Sequence, residues 1–160
     1  REFGGGAVQL GWVECALGLG VLSGGLLLGL WGGFRKRILT SLAGILALGT
    51  AVVAAGLTPP DRFALLLAAF FAVGAGQVLA NGPIVAILQS TVHPDYQGRV
   101  FSLVGAGAGA MMPLGLLVAG PIADHAGVRL WFVAGGAVCV AVCLLALRVP
   151  AIMDIERTRA

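Results

Sequence analysis

Residues able to do chemistry are sparse in this sequence, and their spacing excludes most catalysis. Nucleophilic catalysis by Ser or Cys needs a base beside the nucleophile, and neither His93 nor His125 falls within any of the five spans inferred below. An aspartyl mechanism needs two carboxylates sharing one site, and no span holds a pair of Asp residues. Cys15, Cys139 and Cys143 all sit in apolar stretches, without the spacing of a disulfide framework or a zinc motif. His93 and His125 stand at opposite ends of one span, too far apart to share a metal. The expectation is therefore no enzyme, no metal and no cofactor.

What remains is suited to binding. Gln77 and Asn81 are four residues apart, hence on one helix face, near the middle of a run without Asp, Glu, Lys or Arg. Gly74, Gly76, Gly82 and Pro83 loosen the helix around them, and interrupted helices at mid-membrane depth mark binding sites in transporters. The structural alternative is that both amides bond to neighbouring helices as glue. Met111 and Met112, beside Pro113, offer flexible side chains to varied apolar ligands or to a core. Glu14 is the one acid placed to enter a bilayer, where titration would suit proton coupling; its nearness to the boundary equally suits a solvated or Gln9-paired carboxylate.

These side chains must be carried by membrane-spanning helices. The chain is 59% apolar and only 11% charged, with 26 Gly in 160 residues, and its mean hydropathy is +1.00. Soluble domains are nearer half apolar and a quarter charged. Charged residues are absent from 15–34, 38–60, 63–94, 100–123 and 130–147, and a spanning helix needs about 20 apolar residues. Continuous runs of that length exclude the alternating pattern of a barrel. The reading is an all-α polytopic membrane protein with helices near 11–34, 38–57, 62–90, 100–123 and 129–148, and with Asp61 as N-cap of the third. Residues 1–10 then form a loop and 150–160 a tail, flanking a bundle over 11–149.

Five crossings place Arg35, Lys36, Arg37, Arg99, Arg148, Arg157 and Arg159 on one side, against Arg1, Arg62 and Arg129 on the other. The positive-inside rule makes the first side cytoplasmic, the N-terminus external and the C-terminus internal. The net charge of +3 thus sets orientation and points to the lipid bilayer as partner, with no nucleic acid. An odd helix count starting outside, at Arg1 and not Met, suggests a piece of a larger protein. Gly25-Leu26-Leu27-Leu28-Gly29 before Arg37-Ile38 is echoed by Gly115-Leu116-Leu117-Val118-Ala119-Gly120 before Arg129-Leu130, as in the inverted repeats of secondary transporters.

Gly20, Gly24, Gly25, Gly29 and Gly33 form small-xxx-small pairs on the first helix, and Gly105 with Gly109 on the fourth, so other helices can approach closely. Arg35-Lys36-Arg37 reads as an anchor at anionic headgroups. In Gln97-Gly98-Arg99, Gly98 would permit a tight turn and Arg99 would cap the fourth helix or reach another loop.

Three stretches resemble the major facilitator superfamily, and within it the macrolide-efflux-like drug exporters. Gly24 to Arg37 is similar to the loop between helices 8 and 9. Asn81-Gly82-Pro83-Ile84, Leu88 to Val92 and Gln97 to Ser102 resemble helix 10 and the loop to helix 11. Pro113 to Leu117, Ala119 to Asp124 and Gly127-Val128-Arg129 resemble helix 11 and its exit. The resemblance implies a C-terminal half, helices 8 to 12 of twelve, with residues 1–10 as the external loop after helix 7. It also implies a bacterial plasma-membrane location, a small-molecule substrate, proton exchange, and helices 1 to 7 as the partner against which helices 8 and 11 move. Arg35-Lys36-Arg37 would then belong to a cytoplasmic gating motif, although Gly32-Gly33 stand where an Asp is usual. A non-transporting membrane scaffold or assembly subunit would use the same packing glycines.

Overall fold

A computed structural model describes residues 6–59 and 61–149. It contains five α-helices: α1 Ala7–Trp31, α2 Arg37–Leu57, α3 Phe63–Thr91, α4 Pro94–Ala126 and α5 Val128–Arg148, with no strand among the described residues. All five are long and apolar enough to cross a membrane. Residues 1–5 of the expected loop and the tail 150–160 lie outside the described residues, whereas Ala7 to Leu10 are already helical.

Several boundaries move for identifiable reasons. α1 ends at Trp31 because Gly32 and Gly33 take left-handed φ of 73° and 78°, the first donating its N–H to Leu28 O at 2.8 Å. Gly33 is therefore a turn residue and not a packing glycine of the helix. α4 starts at Pro94, a residue preorganised for the first helical position. Helix thus runs through Gln97-Gly98-Arg99, so Gly98 makes no tight turn and Arg99 caps nothing. Asp61 does not cap α3 either: Arg62 holds the N-cap position, with no side-chain cap bond, after its N–H closes a turn onto Pro59 O at 3.1 Å.

Side by side, the helices run α1, α3, α2, α5, and α4 meets α5 through a small contact. Glycine decides where they touch. A Cβ on Gly24 of α1 would lie 2.8 Å from Ala75 Cα on α3; one on Gly76 of α3, 2.9 Å from Leu48 N on α2; one on Gly136 of α5, 2.7 Å from Gly49 O on α2. The buried side chains are small, Ala51, Ala55, Ala69, Ala80 and Cys143 among them, while Leu22, Leu26 and Leu30 point outward. That arrangement suits lipid, which is as apolar as leucine and leaves close backbone packing to hold helices together. Three hydroxyls bond back to a carbonyl of their own helix or of the helix they cap: Ser23 Oγ to Gly20 O at 2.9 Å, Thr50 Oγ1 to Leu46 O at 2.9 Å and, just past α2, Thr58 Oγ1 to Ala54 O at 2.7 Å.

Candidate functional site: an open amide pair on the central helix

Gln77 is the middle residue of the 29-residue helix α3. At about 100° per residue, Phe71, Gly74 and Ala75 form the face against α1, and Gly76, Leu79 and Ala80 the face against α2. Gln77 and Asn81 project from the remaining face, and both are exposed. Asn81 Nδ2 donates to Gln77 O at 3.0 Å along the same helix and bridges to no other helix among the described residues. Its Oδ1 and the whole Gln77 amide meet no partner among the described residues. An amide left without a partner in hydrocarbon costs about 2–7 kcal/mol, which directs this face toward water, ligand or another polar surface. Pro83, buried in the same helix, lacks the N–H that would bond Leu79 O and so weakens the ladder just beyond Asn81.

The other expected residues are dispersed. Glu14 is exposed on α1 and accepts no bond from Gln9 Nε2 among the described residues, while Gln9 Oε1 accepts from Gly6 N–H. Met111 and Met112 on α4 are 61% and 74% exposed, and no residue of the α4 span is buried. Of the packing glycines, Gly20 and Gly24 close onto Phe71 and Ala75, whereas Cβ atoms on Gly25, Gly29, Gly105 and Gly109 would meet nothing within 4 Å. The glycine pattern therefore divides by face: one stripe is used inside the chain and the rest is bare. Among the described residues no cluster of His, Cys, Asp and Glu could hold a metal ion.

Two connectors are more ordered than their sequences suggest. In Gly32 to Lys36, Phe34 N–H donates to the buried Thr40 Oγ1 at 2.8 Å and the Trp31 and Phe34 rings meet edge-on at 4.7 Å. Arg37 opens α2 and reaches Ala86 O on α3 at 3.5 Å, while Arg35 remains exposed. At the next turn, Gln97 Nε2 donates to Gln89 O at 3.0 Å and Val92 O at 3.1 Å, satisfying carbonyls that the end of α3 leaves open. Gln97 is thus a clasp between α3 and α4. At the opposite end Arg129 Nη2 donates to Thr58 O at 3.1 Å, joining α5 to the end of α2. Thr40 and the Arg129–Thr58 link escape sequence reasoning because both depend on residues brought together by the fold; a Thr four positions into α2, after Gly-Gly-Phe, is the one local signal.

The Major Facilitator Superfamily profile matches residues 1–157. Macrolide efflux protein A of Streptococcus pyogenes is 36% identical over 142 residues, covering 88% of this chain and 35% of that protein. Multidrug efflux pump Tap of Mycolicibacterium fortuitum is 33% identical over 152 residues, 92% of this chain and 36% of the pump, and its Mycobacterium tuberculosis counterpart is 34% identical over 153 residues, 93% and 35%. The chain spans about a third of the length of these curated relatives. No solved structure gives a significant match. Five spanning helices and a profile covering nearly all of the sequence lead to one conclusion: the chain is a multi-pass membrane protein and belongs to the Major Facilitator Superfamily.

Proposed function

We propose that this chain supplies the C-terminal helices of a secondary active transporter that exports small amphipathic or drug-like molecules by alternating access, coupled to protons. Its partner in this reading is an N-terminal half, helices 1 to 7, seated on the bare faces of α1 and α4. The protein sits in a bacterial plasma membrane with its N-terminus external and its C-terminus cytoplasmic. Arg35, Lys36, Arg37, Arg99 and Arg148 at one end of the bundle, against Arg62 and Arg129 at the other, support that orientation. The named activities of the relatives, macrolide and multidrug efflux, support the substrate class.

One observation carries the reading: an amide pair at the midpoint of α3, with hydrogen-bonding capacity unspent, on a face that neither α1 nor α2 covers. Gln77 and Asn81 would line the central site and fix ligand orientation through hydrogen bonds, with Met111 and Met112 offering adaptable apolar surface. Glu14, near the external boundary, is the proton-coupling residue of this proposal.

The test is thiol labelling in the full-length protein after Cys15, Cys139 and Cys143 are replaced. Gln77→Cys and Asn81→Cys should react with a membrane-impermeant maleimide, and a macrolide or dye substrate should protect them. Failure of both positions to label from either side, with Asp61→Cys at the exposed α2–α3 connector labelling as a control for folding and access, would overturn the reading and return the chain to a packing role as a scaffold.

A further inference from the structure

A groove of about 260 Å³ opens between α2 and α5. Leu39, Leu42, Ala43 and Leu46 form one wall, at the i, i+3, i+4, i+7 spacing of a single helix face, and Cys143 and Leu147 form the other. Phe34 closes one end, held by its N–H bond to Thr40 Oγ1 at 2.8 Å. Leu39 to Leu46 extend along roughly 10 Å of the α2 axis at 1.5 Å per residue, so the groove reaches from the end of the bundle toward its middle.

Nothing in the wall solicits a polar ligand, because every lining side chain is apolar and the Cys143 thiol is committed to Leu42 O at 3.2 Å. The mouth differs from the wall. Arg35 follows Phe34 and Arg148 follows Leu147, both exposed, and neither α2, α5 nor the α1–α2 connector contains an acid. The one acid in the first turn of the neighbouring α4, Asp95, lies 3.4 Å from His93. An amphipathic helix needs a longer track than this, and a drug-like molecule needs polar partners along the wall.

We infer that the groove retains one anionic diacyl phospholipid, with an acyl chain between α2 and α5 and its phosphate on Arg35 and Arg148. Charge complementarity selects the occupant, since basic pockets between spanning helices at a membrane surface bind anionic headgroups. The site lies on the opposite flank of α2 from α3 and does not depend on the export reading.

Native mass spectrometry of the full-length protein in mild detergent tests it, with phosphatidylglycerol and phosphatidylethanolamine of identical chains as probes. Phosphatidylglycerol should bind more tightly. R35Q/R148Q should weaken it roughly thirtyfold, from two charges at about 1 kcal/mol each and tenfold per 1.4 kcal/mol. Arg99→Gln, at the same end but adjoining no residue of the groove wall, should leave binding unchanged. Ala43→Phe, at an exposed wall position, should displace the lipid with both arginines intact. Equal retention of the two lipids, equal loss in R35Q/R148Q and R99Q, or unchanged binding in A43F would each identify ordinary annular lipid and overturn the proposal.

Discussion

Adjacent glycines on α1 offer a controlled test of how the bundle is held. A Cβ on Gly24 would stand 2.8 Å from both Ala75 Cα and Ala75 O, whereas one on Gly25 meets nothing within 4 Å. Carbon atoms in favourable contact are about 3.5–4.0 Å apart, so Gly24→Ala demands roughly 1 Å of separation. Ala75 presents backbone and cannot rotate aside. Moving α1 outward loosens Gly20 against Phe71 and Gly74 against Leu17 and Val21 as well. A gap of that size forfeits about a quarter to a half of each contact well. Overpacking of this kind costs about 1–3 kcal/mol, or about five- to 150-fold in the unfolding equilibrium. Gly25→Ala has no such clash and gains helix propensity, up to about 1 kcal/mol. Equilibrium unfolding of this five-helix chain without helices 1 to 7, in mixed detergent and with Trp131 replaced by Phe so that fluorescence reports Trp12 and Trp31 on α1, measures both. Equal midpoints for the two variants, or a larger loss for G25A, would refute the assignment of α1 packing to the Gly20–Gly24 stripe.

Three further outcomes follow from particular bonds. Thr40→Val removes the acceptor of the Phe34 N–H, so amide exchange at Phe34 should speed by about five- to 150-fold, for a loss of about 1–3 kcal/mol. Arg129→Gln should destabilise the α2–α5 pair by about 1.5–3 kcal/mol, the range for hydrogen bonds to a charged group, in the same unfolding assay. Cys15, exposed on α1, should alkylate with a small maleimide in the folded protein, while Cys143, 1% exposed, should react only once α2 and α5 part.

Much of the architecture is legible because lipid removes the usual ambiguity. A backbone amide left unpaired in hydrocarbon is so costly that a run such as 38–57 has to be helical, and α2 indeed spans Arg37–Leu57. Boundaries were harder where a special backbone conformation intervened. Gly32 and Gly33 end α1 before Phe34, and Pro94 starts α4 before Arg99, a signal that the charge pattern hid. The site was legible in part. The shared face of Gln77 and Asn81 is a matter of helical period alone, but whether that face is covered is not.

The sequence by itself determined the number of helices, their membrane character and the shared face of the polar pair midway along its helix, because each depends on local composition and a fixed helical geometry. Only the tertiary structure decided which glycines are used. Gly20 and Gly24 meet α3 while Gly25 and Gly29, of identical type and spacing, meet nothing among the described residues. Motif spacing specifies that a close approach is possible, and the rotation of each helix about its axis decides where it occurs. The same rotation buries Gly76 and Ala80 against α2 and leaves Gln77 and Asn81 open beside them.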